Sequence, residues 1–156
     1  MIENISTHDA QEDVRNEDIL IWLNGELVHR NEAKVSVYDS GFMLGDGMWE
    51  GMRLYNGVWT FFEEHMDRLF NSLEAVSLDS GLTAEDVRAL LNRTAEANGM
   101  TTDAHCRLMI TRGRKAKPFQ HPKGVGTVQR TQRDRAPDGS VSARGVDVHT
   151  TRLPLL

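Results

Sequence analysis

The sequence predicts an α+β fold, in which two helices cover one face of an antiparallel sheet and an irregular tail follows at the C-terminal end. Two segments, residues 48–55 and 105–112, alternate in polarity with the period of two that is typical of strands. Asn-Gly pairs at 24–25 and 56–57 each separate short apolar runs, which favours hairpin turns because both residues tolerate positive φ. Two helical patterns lie together between the strands, and this order is typical of helices packed on one face of a sheet.

The N-terminal region predicts an acidic flexible tail followed by a hairpin. Residues 1–18 contain six acidic residues, one arginine and few large apolar groups, so they bury too little surface to offset the entropy of ordering them. The apolar runs at 19–23 and 27–28 flank the first Asn-Gly pair and predict two strands. Residues 34–38 alternate again, with two valines on one face, and predict a third strand.

The fourth predicted strand, residues 48–55, mixes apolar and charged groups on both faces. Such a pattern fits a half-solvated edge strand, and it equally fits a strand that lines a polar cavity. Residues 58–62 return after the second Asn-Gly turn as its partner. One face of the fourth strand carries Met48, Glu50, Met52 and Leu54, and the other carries Trp49, Gly51, Arg53 and Tyr55.

Two amphipathic helices follow. An apolar stripe with helical spacing begins after Glu63, and Thr83 opens a second helix with a Thr-x-x-Asp capping signature. Gly99 stands where the second helix should end, because glycine readily adopts the left-handed conformation that closes many helices. The first stripe consists of Met66, Leu69, Phe70, Leu73 and Val76, and the second of Val87, Leu90, Leu91, Thr94 and Ala95.

The C-terminal residues carry weaker signals. Residues 124–139 show no periodic apolar pattern, and one weak strand is predicted around Val146 and Val148. We therefore expect three parts: an acidic flexible tail (1–18), one folded domain (19–122), and a poorly ordered segment (123–156).

The composition excludes several classes of function. A net charge of −5 argues against nucleic acid or an anionic membrane as the main partner, because both attract basic surfaces. No apolar run approaches the length of a membrane span. Cys106 is the single cysteine, so no internal disulfide can form, and we expect a reducing, cytoplasmic compartment. The six histidines lack metal-ligand spacing, which predicts no metal site.

General catalytic motifs are missing from the sequence. The glycines at 45 and 47 lack the rest of a dinucleotide fingerprint, and neither a phosphate loop nor a recognisable nucleophile context occurs. His65 lies beside Glu64 and close to Asp67, but neighbouring polar groups at a helix start are usually solvated. The residues alone therefore predict a soluble α+β domain and no specific reaction.

Six short motifs follow one another in the chain: IWLNGELV (21–28), AKVSVYD (33–39), GDG (45–47), WEGMR (49–53), YNG (55–57) and EHMDRL (64–69). In this order they closely resemble the N-terminal domain of class IV, or fold-type IV, pyridoxal-phosphate aminotransferases. That group includes branched-chain and D-amino-acid aminotransferases and aminodeoxychorismate lyase. The resemblance covers residues 19–122, and it implies that residues 123–156 combine an interdomain loop with the truncated start of a second, C-terminal domain. It implies pyridoxal 5′-phosphate as cofactor, an amino acid and a 2-oxo acid as substrates, and a homodimer.

The resemblance assigns four site residues. Arg68 matches the arginine that grips the cofactor phosphate, and a guanidinium suits this role because it offers paired charge-assisted hydrogen bonds. Trp49 matches an aromatic residue that walls the substrate pocket, and Arg107 matches an arginine near the substrate carboxylate. His105 shares a strand face with Arg107 and stands where branched-chain enzymes can carry tyrosine. Without the resemblance, a solvated surface arginine is the preferred interpretation of Arg68, and Arg107 faces either solvent or a polar cavity. Trp49 could then be a core aromatic.

Two other shared positions, Glu50 and Arg53, are interpreted as structural. The segment Thr111-Arg112-Gly113 resembles D-amino-acid aminotransferases, which continue with an Arg-x-His carboxylate clamp. Lys117 and Phe119 occupy the clamp positions and cannot repeat it, which weakens the D-amino-acid interpretation. Leu44 also departs from the aromatic residue that branched-chain enzymes often carry.

The lysine that the family joins to its cofactor lies in the C-terminal domain. The four lysines of this chain do not match that context, because one belongs to the AKV motif and three follow the last convincing strand. We therefore expect that the Schiff-base lysine is not in this chain and that the chain carries no catalytic residue. The lysines are Lys34, Lys115, Lys117 and Lys123.

Two hypotheses of function follow from these observations. The first is a pyridoxal-phosphate-dependent transaminase, with branched-chain amino acids as preferred substrates and a chain truncated before the Schiff-base lysine. The second is a non-catalytic remnant or dimerising domain of the same family. Within the family, aminodeoxychorismate lyase-like and D-amino-acid aminotransferase activities remain alternatives.

Overall fold

The computed structural model describes residues 13–114 and 146–152, which form an antiparallel sheet with two long helices on one face. The strands are β1 (Leu20–Leu23), β2 (Glu26–His29), β3 (Gly47–Tyr55), β4 (Val58–Trp59), β5 (Ala104–Thr111) and β6 (Val146–Arg152). The helices are α1 (Ser40–Leu44), α2 (Phe62–Ala75) and α3 (Ala84–Ala97), preceded by a short 3-10 helix at Val14–Asn16. The strands lie in the order β2-β1-β6-β5-β3-β4, which confirms the predicted α+β class.

The alternation in β3 and β5 sets the two faces of the sheet. Glu50 lies opposite Leu108 and Gly51 lies opposite Arg107, and directly opposite residues of an antiparallel pair share a face. The face with Glu50 is buried and the face with Arg107 is open, which the alternation of β5 indicates and the mixed pattern of β3 does not. The buried face carries Met52, Leu54, Cys106, Leu108 and Ile110.

Both long helices pack on this buried face, with α2 against β3 and α3 against β1 and β6. The predicted capping box at the start of α3 is confirmed. Thr83 Oγ1 accepts a hydrogen bond from the Asp86 N–H at 3.1 Å, and the Asp86 carboxylate accepts one from the Thr83 N–H at 2.8 Å. Gly99 follows the end of α3 with a φ of +59°, also as predicted. The helix residues in the core include Met66, Leu69, Leu73, Val87, Leu91 and Ala95.

Residues 34–38 do not form the predicted third strand. Val35 and Val37 are 52% and 63% exposed. A period-two pattern becomes a strand only where a neighbour supplies backbone hydrogen bonds, and no strand in the described ranges pairs with this segment. The chain continues instead into α1, whose N-cap residue Asp39 accepts a hydrogen bond from the Gly41 N–H at 2.8 Å.

The strand predicted over residues 58–62 is shorter than expected. β4 contains only Val58 and Trp59, and α2 begins at Phe62 after a residue, Phe61, with a φ of +53°. Trp59 is buried, and its indole N–H donates to Asn92 Oδ1 at 2.8 Å. Trp59 is thus anchored to α3 and Phe62 is buried as the first residue of α2, so the chain changes from strand to helix earlier than the apolar pattern predicts.

Both ends of the domain differ from the predicted boundaries. Residues 13–18 are not a loose tail, because Asp13 caps the 3-10 helix and Arg30 Nη1 donates to the Asn16 carbonyl at 2.7 Å. Residues 146–152, assigned above to the segment after the domain, form β6 in the middle of the sheet. The rest of the expected tail and interdomain segment, residues 1–12, 115–145 and 153–156, lies outside the described residues. Within the described ranges, no helix has both the length and the apolar character needed to cross a bilayer.

Candidate functional site

A buried carboxylate of β3 holds two side chains of α2. Glu50 is 3% exposed and accepts hydrogen bonds from Arg68 Nε at 2.8 Å and from Arg68 Nη2 at 2.5 Å. His65 Nδ1 lies 2.7 Å from Oε2 of the same carboxylate. The sequence interpretation of His65 as a solvated residue is therefore wrong, since the helix turns it inward to Glu50. Arg68 itself remains largely exposed, with 66% of its side chain accessible.

The charges in this cluster reinforce one another. Burial acts to raise the pKa of Glu50, but hydrogen bonds from Arg68 and His65 outweigh it, so this pKa lies below the ordinary value of 4.5. The hydrogen bond to Glu50 in turn raises the pKa of Arg68. Glu50 is therefore ionised at neutral pH. An ionised carboxylate only accepts hydrogen bonds, so His65 Nδ1 must carry a hydrogen and donate a hydrogen bond to Glu50.

This arrangement leaves one edge of the Arg68 guanidinium available. Glu50 takes the edge formed by Nε and Nη2. His65 Nδ1 lies 3.2 Å from Nη2 but cannot accept from it, because its proton is on that nitrogen. In the described part of the chain, no acceptor contacts Nη1. The Nη1 edge thus offers donors in the fork geometry that suits a phosphate.

Three of the predicted site residues meet on the open face of the sheet, around Gly51. A Cβ added to Gly51 would lie 3.2 Å from His105 Nε2 and 3.7 Å from Trp49 Cζ3, so both rings approach the glycine closely. The Arg107 guanidinium carbon lies 5.4 Å from the centre of a Trp49 ring, within cation–π distance. Trp49 is 61% exposed and is not a core aromatic.

The open face carries positive charge. Partial burial lowers the pKa of His105, and the charges of Arg53 and Arg107 lower it further. His105 is therefore a neutral imidazole at pH 7. No carboxylate of the described residues forms an ion pair with Arg53 or Arg107, so both charges remain available to an anion at this surface.

The structure does not bring Arg68 onto the same face as the other three residues. Trp49 and Glu50 are consecutive in β3, so one points to the open face and the other to the buried face, where Arg68 meets it. β4 pairs only with Leu54 and Tyr55, which leaves the other edge of residues 47–53 without a strand partner among the described residues. The two groups of candidate residues therefore lie on opposite faces of β3, and one edge of this strand is uncovered by any described strand.

Arg112 performs a structural role that the sequence does not reveal. Its guanidinium donates to both Asp46 carboxylate oxygens, at 2.8 and 3.0 Å. It also donates to the carbonyls of Val76 and Ser77, at 2.8 and 3.0 Å, just after α2 ends. Because four of its five N–H donors are engaged, Arg112 is not available to a substrate.

The lysines give no candidate for covalent attachment within the described residues. Lys34 is the one lysine there, and it is exposed. Lys115, Lys117 and Lys123 lie outside the described residues, as does Phe119. No group of three or more His, Cys, Asp or Glu side chains suited to a metal occurs in the described ranges.

Comparisons with known proteins agree with this arrangement of elements. Residues 47–154 match the family model described as amino-transferase class IV. The chain is 42% identical over 107 residues to branched-chain-amino-acid aminotransferase-like protein 1 of Arabidopsis thaliana, which is 69% of this chain and 19% of that protein. It is 40% identical over 93 residues to a D-alanine aminotransferase of Listeria innocua, which is 60% of this chain and 32% of that protein.

A solved structure shares the fold. The branched-chain aminotransferase of the thermophilic archaeon Thermoproteus uzoniensis, crystallised with norvaline, matches with a TM-score of 0.62 and 26% identity. That match covers 88% of this chain and 41% of the other. The chain therefore spans less than half the length of each of these three proteins. The family model matches well over half of the present chain, and the chain belongs to the class IV aminotransferase family.

Proposed function

We propose that this chain supplies one side of a pyridoxal 5′-phosphate site in a transaminase, with Arg68 binding the cofactor phosphate. The observation that carries the proposal is the geometry of Arg68, whose guanidinium is held by buried Glu50 on one edge and free on the other. The available edge fits a phosphate in donor type, charge and exposure. When bound, this cofactor supplies the electron sink that lets an amino group leave one carbon and join another.

The open face is proposed to bind the substrate, an amino acid or a 2-oxo acid. Both substrates carry a carboxylate, and Arg107 provides a cation with no carboxylate partner in the described ranges. Trp49 lies beside Arg107 and supplies an apolar wall, and neutral His105 can donate one hydrogen bond without adding charge. Branched-chain amino acids are the preferred substrates, because an apolar side chain suits the Trp49 wall. D-Amino acids remain the alternative within the family, given the similarity to a D-alanine aminotransferase.

The test uses the whole chain and pyridoxamine 5′-phosphate, which has the phosphate and ring of the cofactor but no aldehyde to react with lysines. Binding is measured by calorimetry, with pyridoxamine as the phosphate-free probe. We expect Arg68→Gln to weaken binding of the phosphorylated probe by roughly tenfold, because one charge-assisted hydrogen bond typically contributes about this much affinity. Binding of pyridoxamine should not change.

Arg88→Gln is the matched control, because Arg88 is also a helix arginine paired with a glutamate, but that glutamate, Glu63, is exposed rather than buried. Equal affinity of the wild type for the two probes, or no effect of Arg68→Gln, would contradict the proposed phosphate role. Reduction with borohydride in the presence of pyridoxal 5′-phosphate then shows by mass spectrometry whether one lysine is labelled. Assays with branched-chain and D-amino acids show whether the chain transfers amino groups.

A dimerising domain without catalysis is the second candidate, and exposed apolar side chains favour it. Large apolar groups clustered at a surface usually mark an interface, and the segment from Val35 to Trp49 exposes several of them. We propose a homodimer formed through this segment, in the cytoplasm. Sedimentation at several concentrations tests it, and Phe42→Ser should shift the chain toward monomer; a wild-type monomer at all concentrations would contradict it. The exposed residues are Val35, Val37, Tyr38, Phe42, Leu44 and Trp49.

A further inference from the structure

Glu50 touches no ligand in the proposed function, yet it is the most deeply buried charged residue of the cluster. It is 3% exposed, and it lies on the buried face of β3 opposite Leu108. A carboxylate placed there needs strong hydrogen bonds to offset its loss of hydration. Arg68 and His65 supply them from two adjacent turns of α2. The sheet therefore fixes the carboxylate, and the carboxylate fixes the arginine.

We propose that Glu50 is a positioning residue, which orients the Arg68 guanidinium so that its Nη1 edge is presented to an anionic ligand. This inference rests on the proposed phosphate role of Arg68. Glu50, interpreted from the sequence as structural, thereby gains a role in ligand binding.

The geometry explains why an exposed arginine needs such a partner. A long side chain that is 66% accessible would sample many rotamers, and ordering it on ligand binding would cost affinity. Two parallel hydrogen bonds from Nε and Nη2 to one carboxylate fix the plane of the guanidinium. The Arg68 side chain therefore loses its conformational entropy on folding, and ligand binding does not have to order it.

Glu50 also has an opposing effect, which makes the proposal testable. Its negative charge partly neutralises Arg68 and so weakens the Coulomb attraction for a phosphate. If orientation is the larger effect, Glu50→Gln weakens binding of an anion. If neutralisation is larger, the same variant strengthens it. The pair of Arg88 and Glu63 provides a matched control, because the Glu63 side chain is 72% accessible and is not held in place by burial as Glu50 is.

The first measurement needs no ligand. The Arg68 Nε–H signal in ¹⁵N-edited NMR spectra of the whole chain should exchange with water roughly tenfold more slowly than that of exposed Arg53. Glu50→Gln should remove this difference, whereas Glu63→Gln should leave it unchanged. If Glu50→Gln does not fold, Glu50→Asp replaces it, because the shorter side chain keeps the charge but withdraws the carboxylate. Continued protection of Arg68 Nε–H in the folded variant overturns the proposal.

The second measurement follows the Arg68 signals during titration with inorganic phosphate and with pyridoxamine 5′-phosphate. We expect the Kd for both to rise about fivefold in Glu50→Gln, the effect of ordering one long side chain at binding. An unchanged or lower Kd overturns the positioning role. If the wild-type Arg68 signals are protected but do not respond to either probe, the phosphate role of Arg68 fails instead, so the two failures are distinguishable.

Discussion

Replacement of Arg112 by alanine should destabilise the folded chain by about 2 kcal/mol. Arg112 joins three parts of the structure that are far apart in sequence: the end of β5, Asp46 before β3, and the carbonyls that follow α2. A partly buried two-bond ion pair contributes about 1 kcal/mol, and each carbonyl bond adds about 0.5 kcal/mol at this degree of exposure. The Arg112 and Asp46 side chains are 33% and 18% accessible, so solvent screens the pair only in part.

Urea unfolding followed by circular dichroism measures this loss. With a slope of about 1.5–2 kcal/mol per molar urea, typical of a chain of this size, the midpoint should fall by about 1 M. Arg112→Lys should recover less than half of the loss, because one ammonium cannot reach the carboxylate and two carbonyls at once. Arg53→Ala is the control, since Arg53 is an exposed strand arginine with no ion pair in the described ranges. Equal midpoints for Arg112→Ala and Arg53→Ala would refute the conclusion that Arg112 stabilises the fold by linking these three segments.

Three further changes are expected to affect stability. Leu91→Ala should cost about 3 kcal/mol in urea unfolding, because Leu91 is fully buried in the core. Gly47→Ala should destabilise the fold by about 2 kcal/mol, since the added Cβ would lie 2.7 Å from the Ile110 carbonyl oxygen. Gly45→Ala provides the comparison, because Gly45 has a φ of +68° but open space around it, so this variant measures backbone strain without a steric clash. The ionised Glu50 stabilises the fold above pH 4.5, its unfolded value, and this contribution should be lost as the pH falls through its lower folded pKa. Glu50→Gln should lack that acid transition; an identical pH profile for the variant would contradict it.

The sequence was most informative where a pattern repeats along one element. The alternation of β3 and β5 separated the residues of their two faces correctly, because side chains of a strand must point to opposite sides. It showed which face is apolar only for β5. The Thr83 capping box was also predictable, since its two partners are three residues apart. The family resemblance pointed to Arg68, Trp49, His105 and Arg107 as site residues, and the structure places the last three around Gly51.

Features that depend on distant partners could not be predicted from patterns. Residues 34–38 alternate like a strand but have no strand to pair with in the described part of the chain. Glu50 and Arg68 are 18 residues apart and belong to different elements, so no local spacing reveals their contact. The same holds for Arg112, whose partners come from a loop and a helix end.

The position of β6 has a kinetic consequence. β1 and β5 do not pair with each other; β6 lies between them and bonds to both. The hairpin of β1 and β2 can form early, but it cannot join the rest of the sheet until residues 146–152 have been synthesised. Contacts over such a sequence separation slow folding. Until β6 arrives, one edge each of β1 and β5 stays open to pairing with other chains, so aggregation during synthesis competes with completion of the sheet.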